Sequence, residues 1–144
     1  MLVVLDTDVL IPCVLKASRS AHLLRRLEQA GHRVATSPAI LAEVQNTMRT
    51  KAGLRRWLDM PDREIEAFLH TMPDICAVVP GVVVVEGVAR DDPSDDKILA
   101  AALECDTSYI VSEDRHLRKL VRWKGIPILN RIALQRQLDR LGFP

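Results

Sequence analysis

The chain has 144 residues, 48% of them apolar, which suits one domain able to bury its own core without disulfides. Twenty Lys and Arg against 19 Asp and Glu leave a formal charge of +1, so no overall basic field marks a polyanionic partner. Asp6 and Asp8 stand where a secretory leader would be positive, and no apolar run nears the roughly 18 residues that cross a bilayer. We therefore expect a single domain over residues 1–144, no membrane association and a cytoplasmic location.

In chain order, the short β-branched runs are LVVL (2–5), RVAT (33–36), ICAVV (75–79), YIVS (109–112) and IPIL (126–129). Helical patterns separate them. Ser20 to Ala30 reads as a helix closed by Gly31. Ser37-Pro38 supplies an N-cap and a Pro at the first helical position, ahead of a stripe of Ile40, Leu41, Val44 and Met48. Pro61 opens a stretch with Ile65, Phe68, Leu69 and Met72 inward. Asp92-Pro93 starts another, running through DKILAAALEC to about Cys105. Gly125 and Gly142 read as terminators. The Pro80 to Val85 segment fits an edge strand, a hairpin or an extended loop. Strands alternating with helices specify a parallel sheet, and continuously apolar strands need both faces covered. The expected fold class is α/β: a three-layer α/β/α domain on a central parallel sheet of about five strands.

Cys13, Cys76 and Cys105 are odd in number, widely spaced and outside any zinc pattern, so they read as buried thiols of a reducing compartment. Aromatic residues at 3% leave few rings for stacking bases, which leaves recognition to shape and charge. His22, His32, His70 and His116 are scattered and suit surface or capping roles. Trp57 and Trp123 suit core or interface positions.

The acids are more informative. Asp6 ends the first strand, Asp114 follows the fourth, and Asp92, Asp95 and Asp96 crowd a helix start. In an open parallel sheet the carboxyl ends of the strands, and the starts of the helices that follow them, share one edge. Asp96 with Leu99, Ala100 and Leu103 forms one helical stripe, and Glu43 lies three residues from Ile40 on the flank of its helix. Each acid alone has an ordinary explanation: Asp92 as an N-cap, Asp95 beside the helix dipole, Asp6 and Asp114 in loops, Glu43 on a solvated face. Their common placement points further. Carboxylates about 4–6 Å apart repel unless a cation lies among them. An oxygen-only donor set favours Mg²⁺ or Mn²⁺ over Zn²⁺. Such an ion supports phosphodiester hydrolysis. Two basic groups, Arg115, Arg118, Lys119, Arg122 and Lys124, and Arg49, Lys51, Arg55 and Arg56, suit either phosphate contacts or a solvated helix face. Arg115, Arg118 and Lys119 are the candidate contacts to a phosphate backbone.

LDTDVL, Glu43 in SPAILAEV, RDDPSDDKILAAAL and YIVSEDRHL together resemble the PIN-domain family, in particular the VapC-like ribonuclease toxins of bacterial toxin–antitoxin pairs. The likeness covers essentially the whole chain. It implies a PIN-like fold with the first and fourth strands adjacent at the switch point, and a metal-dependent endoribonuclease. Carried onto this sequence, the four family acids fall on Asp6, Glu43, Asp96 and Asp114. Asp6, Asp96 and Asp114 are then the metal ligands, Glu43 positions the ion or the attacking water, and Asp92, Asp95 and Asp8 are auxiliary acids. The resemblance also implies an RNA substrate, a cognate antitoxin and a homodimer.

Two other readings compete. Asp6-Thr7-Asp8-Val9 matches the opening of haloacid-dehalogenase-like phosphatases, with Asp6 as nucleophile and Asp8 as general acid, although Glu43 then has no role. The other is a non-catalytic PIN-like module that binds RNA or protein, against which stand the four retained acids.

Overall fold

A computed structural model describes residues 1–14, 21–50, 61–88 and 95–143. Their order is β1 (Leu2–Leu5), α1 (Thr7–Val14), α2 (Ala21–Gln29), β2 (Arg33–Thr36), α3 (Pro38–Thr50), α4 (Asp62–Ile75) and β3 (Ala77–Val78). Then come α5 (Asp96–Glu104), β4 (Tyr109–Val111), α6 (Arg115–Arg118), β5 (Arg122–Trp123), β6 (Ile126–Leu129) and α7 (Arg131–Arg140). The strands form one sheet in the order β3-β2-β1-β4-β6-β5. All neighbours are parallel except β5, which runs antiparallel to β6. The five expected strands are present and parallel. Successive strands are added to one side of β1 and then, from β4 on, to the other, so these two parallel central strands flank the crevice where ligands bind in open α/β sheets.

Consecutive residues of a strand point to opposite faces, and Val3, Val4 and Leu5 of β1 are all buried, so both faces of the sheet are covered. Helix α5 packs across β1, β2 and β4 and against α3. Helix α2 packs on β2 and α7, and α7 packs on β6. The result is the expected three-layer arrangement. Its helices begin largely as the sequence indicates. Ser37 Oγ accepts from the Ile40 amide at 3.2 Å to cap α3, whose inward stripe is Ile40, Val44 and Met48. Ile65 and Met72 of α4 are buried and Leu69 is partly so, whereas the Phe68 side chain lies outside the described residues.

Three expectations are corrected, and one that the sequence leaves open is resolved. Gly125 does not end a helix: Lys124 (φ +49°) and Gly125 (φ +78°) form the tight turn that joins β5 to β6, with both central residues left-handed as a type I′ hairpin requires. The segment from Pro80 to Glu86, left open between three forms, is an extended loop without sheet pairing, tied to α5 where Glu104 accepts from the Gly81 and Val82 amides at 3.1 Å. His32 is buried rather than superficial, edge-on to Tyr109 with ring centroids 6.1 Å apart. Helix α5 buries Ile98, Leu99, Ala101 and Ala102, while Leu103 faces solvent. Its core stripe is thus one position out of phase with the one expected through Asp96. Cys76 is buried, which pushes its thiol up to about 11; Cys105 is only half-buried, and Cys13's side chain is outside the described residues. Among the described residues no helix is long and apolar enough to cross a membrane.

Candidate active site

The register of β1 on β4 builds the centre of the site. Val3, Val4 and Leu5 pair with Tyr109, Ile110 and Val111, so the next residues, Asp6 and Ser112, leave the sheet side by side. The Asp6 amide donates to the Val111 carbonyl at 2.8 Å, which fixes the backbone one residue past the strand. The Ser112 hydroxyl donates to Asp6 Oδ2 at 2.7 Å, and the Thr7 amide donates to Oδ1 at 2.7 Å. Asp6 is only 6% exposed. Burial raises its pKa from 3.8 to about 6, against the lowering effect of the Ser112 hydrogen bond; the Asp8 and Glu43 charges add to the rise.

The other acids attach to this centre through short polar bridges. The Asp114 amide donates to Ser112 Oγ at 3.0 Å, and Asp114 Oδ1 accepts from the His116 amide at 2.7 Å as the cap of α6. One hydroxyl thus fixes both strand-end aspartates. On the other side, Thr7 Oγ1 donates to Glu43 Oε2 at 3.0 Å, and Lys97 Nζ stands 2.9 Å from the same oxygen. Lys97 follows Asp96 in the first turn of α5. Asp96 is buried and accepts from the Gly87 amide at 3.1 Å. Asp114, Ser112, Asp6, Thr7, Glu43, Lys97 and Asp96 therefore form one continuous chain of contacts and peptide links along the rim.

Asp95, just before α5, is also buried and lies three and four residues ahead of Ile98 and Leu99, above the core stripe. Asp96 instead faces a groove of about 430 Å³ shared with Lys97, Ala100, Glu104 and the 81–87 segment. Asp8 is exposed in the first turn of α1. Asp92 lies outside the described residues. Arg115, Arg118 and Lys119 are exposed on and just after α6, beside Asp114, while Arg49 of the second basic group pairs with Glu66. Lys51, Arg55, Arg56 and Trp57 lie outside the described residues, and Trp123 is half-buried under the Lys124 ammonium.

Among the described residues no three His, Cys, Asp or Glu side chains stand together as a direct metal cage. The rim nonetheless has the chemistry a hard cation needs. Its donors are carboxylate oxygens, and each Asp6 oxygen accepts one hydrogen bond, which leaves a further lone pair. Burial and two like charges make the Asp6 anion costly without a cation. Mg²⁺ commonly binds through one or two carboxylates and keeps several waters, so a closed protein cage is not required.

Three residues of this network, Thr7, Ser112 and Lys97, escape the sequence reading. Thr7 and Ser112 lie within LDTDVL and YIVSEDRHL, but their partners depend on strand register. Lys97 signals itself only by lying next to Asp96.

A family model described as the PIN domain matches residues 2–116 of the chain. No curated protein matches its sequence. Among solved structures, the chain is similar to one from the VapBC2 complex of Rickettsia felis, crystallised with a DNA fragment from its promoter: TM-score 0.60, 14% identity, 90% of this chain and 98% of that one covered. It is also similar to the PIN domain endonuclease Utp24, with TM-score 0.50, 16% identity and coverage of 90% and 84%.

Proposed function

The chain belongs to the PIN-domain family, and on that premise we propose that it is a metal-dependent endoribonuclease that hydrolyses RNA phosphodiester bonds. The observation that carries this reading is Asp6: a buried carboxylate at the switch point of the sheet, oriented by Ser112 and Thr7 and crowded by negative charge. Asp6, Asp96 and Asp114 would hold Mg²⁺ or Mn²⁺. When bound, such an ion supplies an acidified water and a counter-charge for the departing oxygen.

The chain's own residues do the rest. Ser112 holds the Asp6 carboxylate and the Asp114 backbone in a fixed relation, and the His116 amide holds the Asp114 carboxylate, so ordering the two acids on binding costs little rotamer entropy. Glu43, half-exposed and clamped by Thr7 and Lys97, directs a carboxylate toward the rim, where it orients a water by hydrogen bonding. Arg115, Arg118 and Lys119 lie in the open beside Asp114 and attract the RNA backbone without reading its bases.

We further infer that the protein is the toxin of a toxin–antitoxin pair, acting in the cytoplasm as a homodimer restrained by a cognate antitoxin. The similarity to a VapBC2 chain supports this assignment. Family membership displaces the phosphatase reading, and the Thr7 hydrogen bond gives Glu43 the place that reading denied it.

The test is a purified chain incubated with structured and single-stranded RNA. Cleavage should require Mn²⁺ or Mg²⁺, stop with chelator and fall at least about 10³-fold in Asp6→Asn, whose fold circular dichroism verifies. An Asp6→Asn protein that cuts at the parent rate would overturn the assignment. Tight RNA binding without products in either metal would select the non-catalytic module.

A further inference from the structure

Lys97 is placed against its local preference. It lies in the first turn of α5, where the aligned peptide dipoles already present positive charge and favour acids. It also gives up the solvent freedom usual for lysine: its side chain is 23% exposed and its ammonium sits 2.9 Å from Glu43 Oε2, on a Glu43 side chain 31% exposed. The same oxygen accepts from the Thr7 hydroxyl. Glu43 Oε2 thus has both a cation and a hydroxyl before any outside ion arrives. Among the described residues its neighbour Asp6 has neutral donors alone, one hydroxyl and one amide, and no basic side chain bonded to it. The rim is divided: one carboxylate is neutralised from within the chain, and the other is left to an external charge.

We propose that Lys97 is a built-in cation of the rim, a positioning residue that neutralises and holds Glu43 so that the site takes one divalent ion, at Asp6, rather than two. This rests on the nuclease reading above and deepens it. A carboxylate whose oxygen already receives an ammonium and a hydroxyl makes a poor ligand, and a second dication would have to displace Lys97 against its charge. Removing the lysine leaves Glu43 with the Thr7 hydroxyl but no positive partner on the same crowded rim, which recreates the demand for a cation there. Lys97 thereby sets how many metals the site holds, while Glu43 stays outside direct ligation.

Counting bound Mn²⁺ per chain by equilibrium dialysis tests this without reference to RNA cleavage. The parent protein should bind one ion. Lys97→Met should bind two, and Lys97→Arg, which keeps the charge, should return the count to one. Lys97→Ala gives a second route to the same count should Lys97→Met fail to fold. A purely structural lysine would lower the melting temperature in these variants without changing the stoichiometry. A parent that binds two ions, or a folded Lys97→Met or Lys97→Ala that binds one, overturns the role of Lys97 and leaves the nuclease reading standing. A parent that binds no Mn²⁺ overturns that reading itself, and this proposal with it.

Discussion

The two edges of the sheet bury polar groups in opposite ways. At the edge where the strands begin, the buried groups are neutral or answered by main chain: the Thr107 hydroxyl lies 2.7 Å from the Leu2 carbonyl and 2.9 Å from that of Tyr109. His32 is buried there as a ring against a ring. At the edge where the strands end, Asp6, Asp95 and Asp96 are all less than a tenth exposed. A fold that only needed its strand ends satisfied could use hydroxyls and amides at both edges. The concentration of buried carboxylates at one of them costs stability, which is how active sites commonly differ from the scaffold that carries them.

The largest test of this contrast is Asp6 itself. Its pKa is raised from 3.8 to about 6, so the folded state disfavours the anion. Its stabilising contribution is complete below about pH 3.8 and lost as pH rises through about 6. At 1.36 kcal/mol per pH unit this amounts to about 3 kcal/mol at neutral pH. In metal-free buffer at pH 7.5, Asp6→Asn should therefore be more stable than the parent by about 1–3 kcal/mol, measured by urea unfolding, while losing RNA cleavage. Equal or lower stability would mean that the rim does not strain the fold.

Ser112→Ala comes next. Its hydroxyl is wholly buried and serves Asp6 and the Asp114 amide at once, so its loss strands two polar groups. We expect about 2 kcal/mol of destabilisation and a fall in cleavage of about 10–100-fold, as for other groups that orient metal ligands. A variant as active as the parent would separate Ser112 from the site and make it ordinary scaffold.

These residues mark where the sequence stops being legible. The five parallel strands, the cap at Ser37 and the gathering of acids at one edge follow from local patterns of apolar, β-branched and capping residues, which the chain carries within a few positions. Ser112 next to Asp6 does not: it depends on the pairing of β1 with a strand over 100 residues later, and a register one residue different would place another side chain there. The phase of α5 is illegible for a related reason, since Leu99 fits two stripes and only the packing of Ile98 and Ala102 against the sheet decides between them. The sixth strand, β5, is two residues long, too short for any alternation to show.

Thr7→Val probes the link between Asp6 and Glu43 more gently. Valine keeps the shape and removes only the hydroxyl, which is 3.0 Å from Glu43, while Lys97 still holds that carboxylate. The expected loss is about 1 kcal/mol, restored by Thr7→Ser and read from the same urea titrations.

The smallest effect lies at the opposite edge and has the opposite sign. Burial, aided by the Met1 ammonium, lowers the His32 pKa below 6.5, so the folded state favours the neutral ring. His32 therefore supports the fold fully above about pH 6.5 and withdraws that support as pH falls through its lowered pKa, over a range in which protonation of Asp6 adds stability. The two edges partly cancel in the parent. Melting temperatures from pH 7.5 down to 4.5 should separate them: His32→Phe, which keeps a ring against Tyr109, leaves Asp6 unopposed and should gain more stability on acidification than the parent. Asp6→Asn leaves His32 unopposed and should lose more. Parallel curves for all three proteins would show that neither edge stores its charge cost as the buried geometry indicates. Divergence in the stated directions would assign the acid response to one residue at each edge.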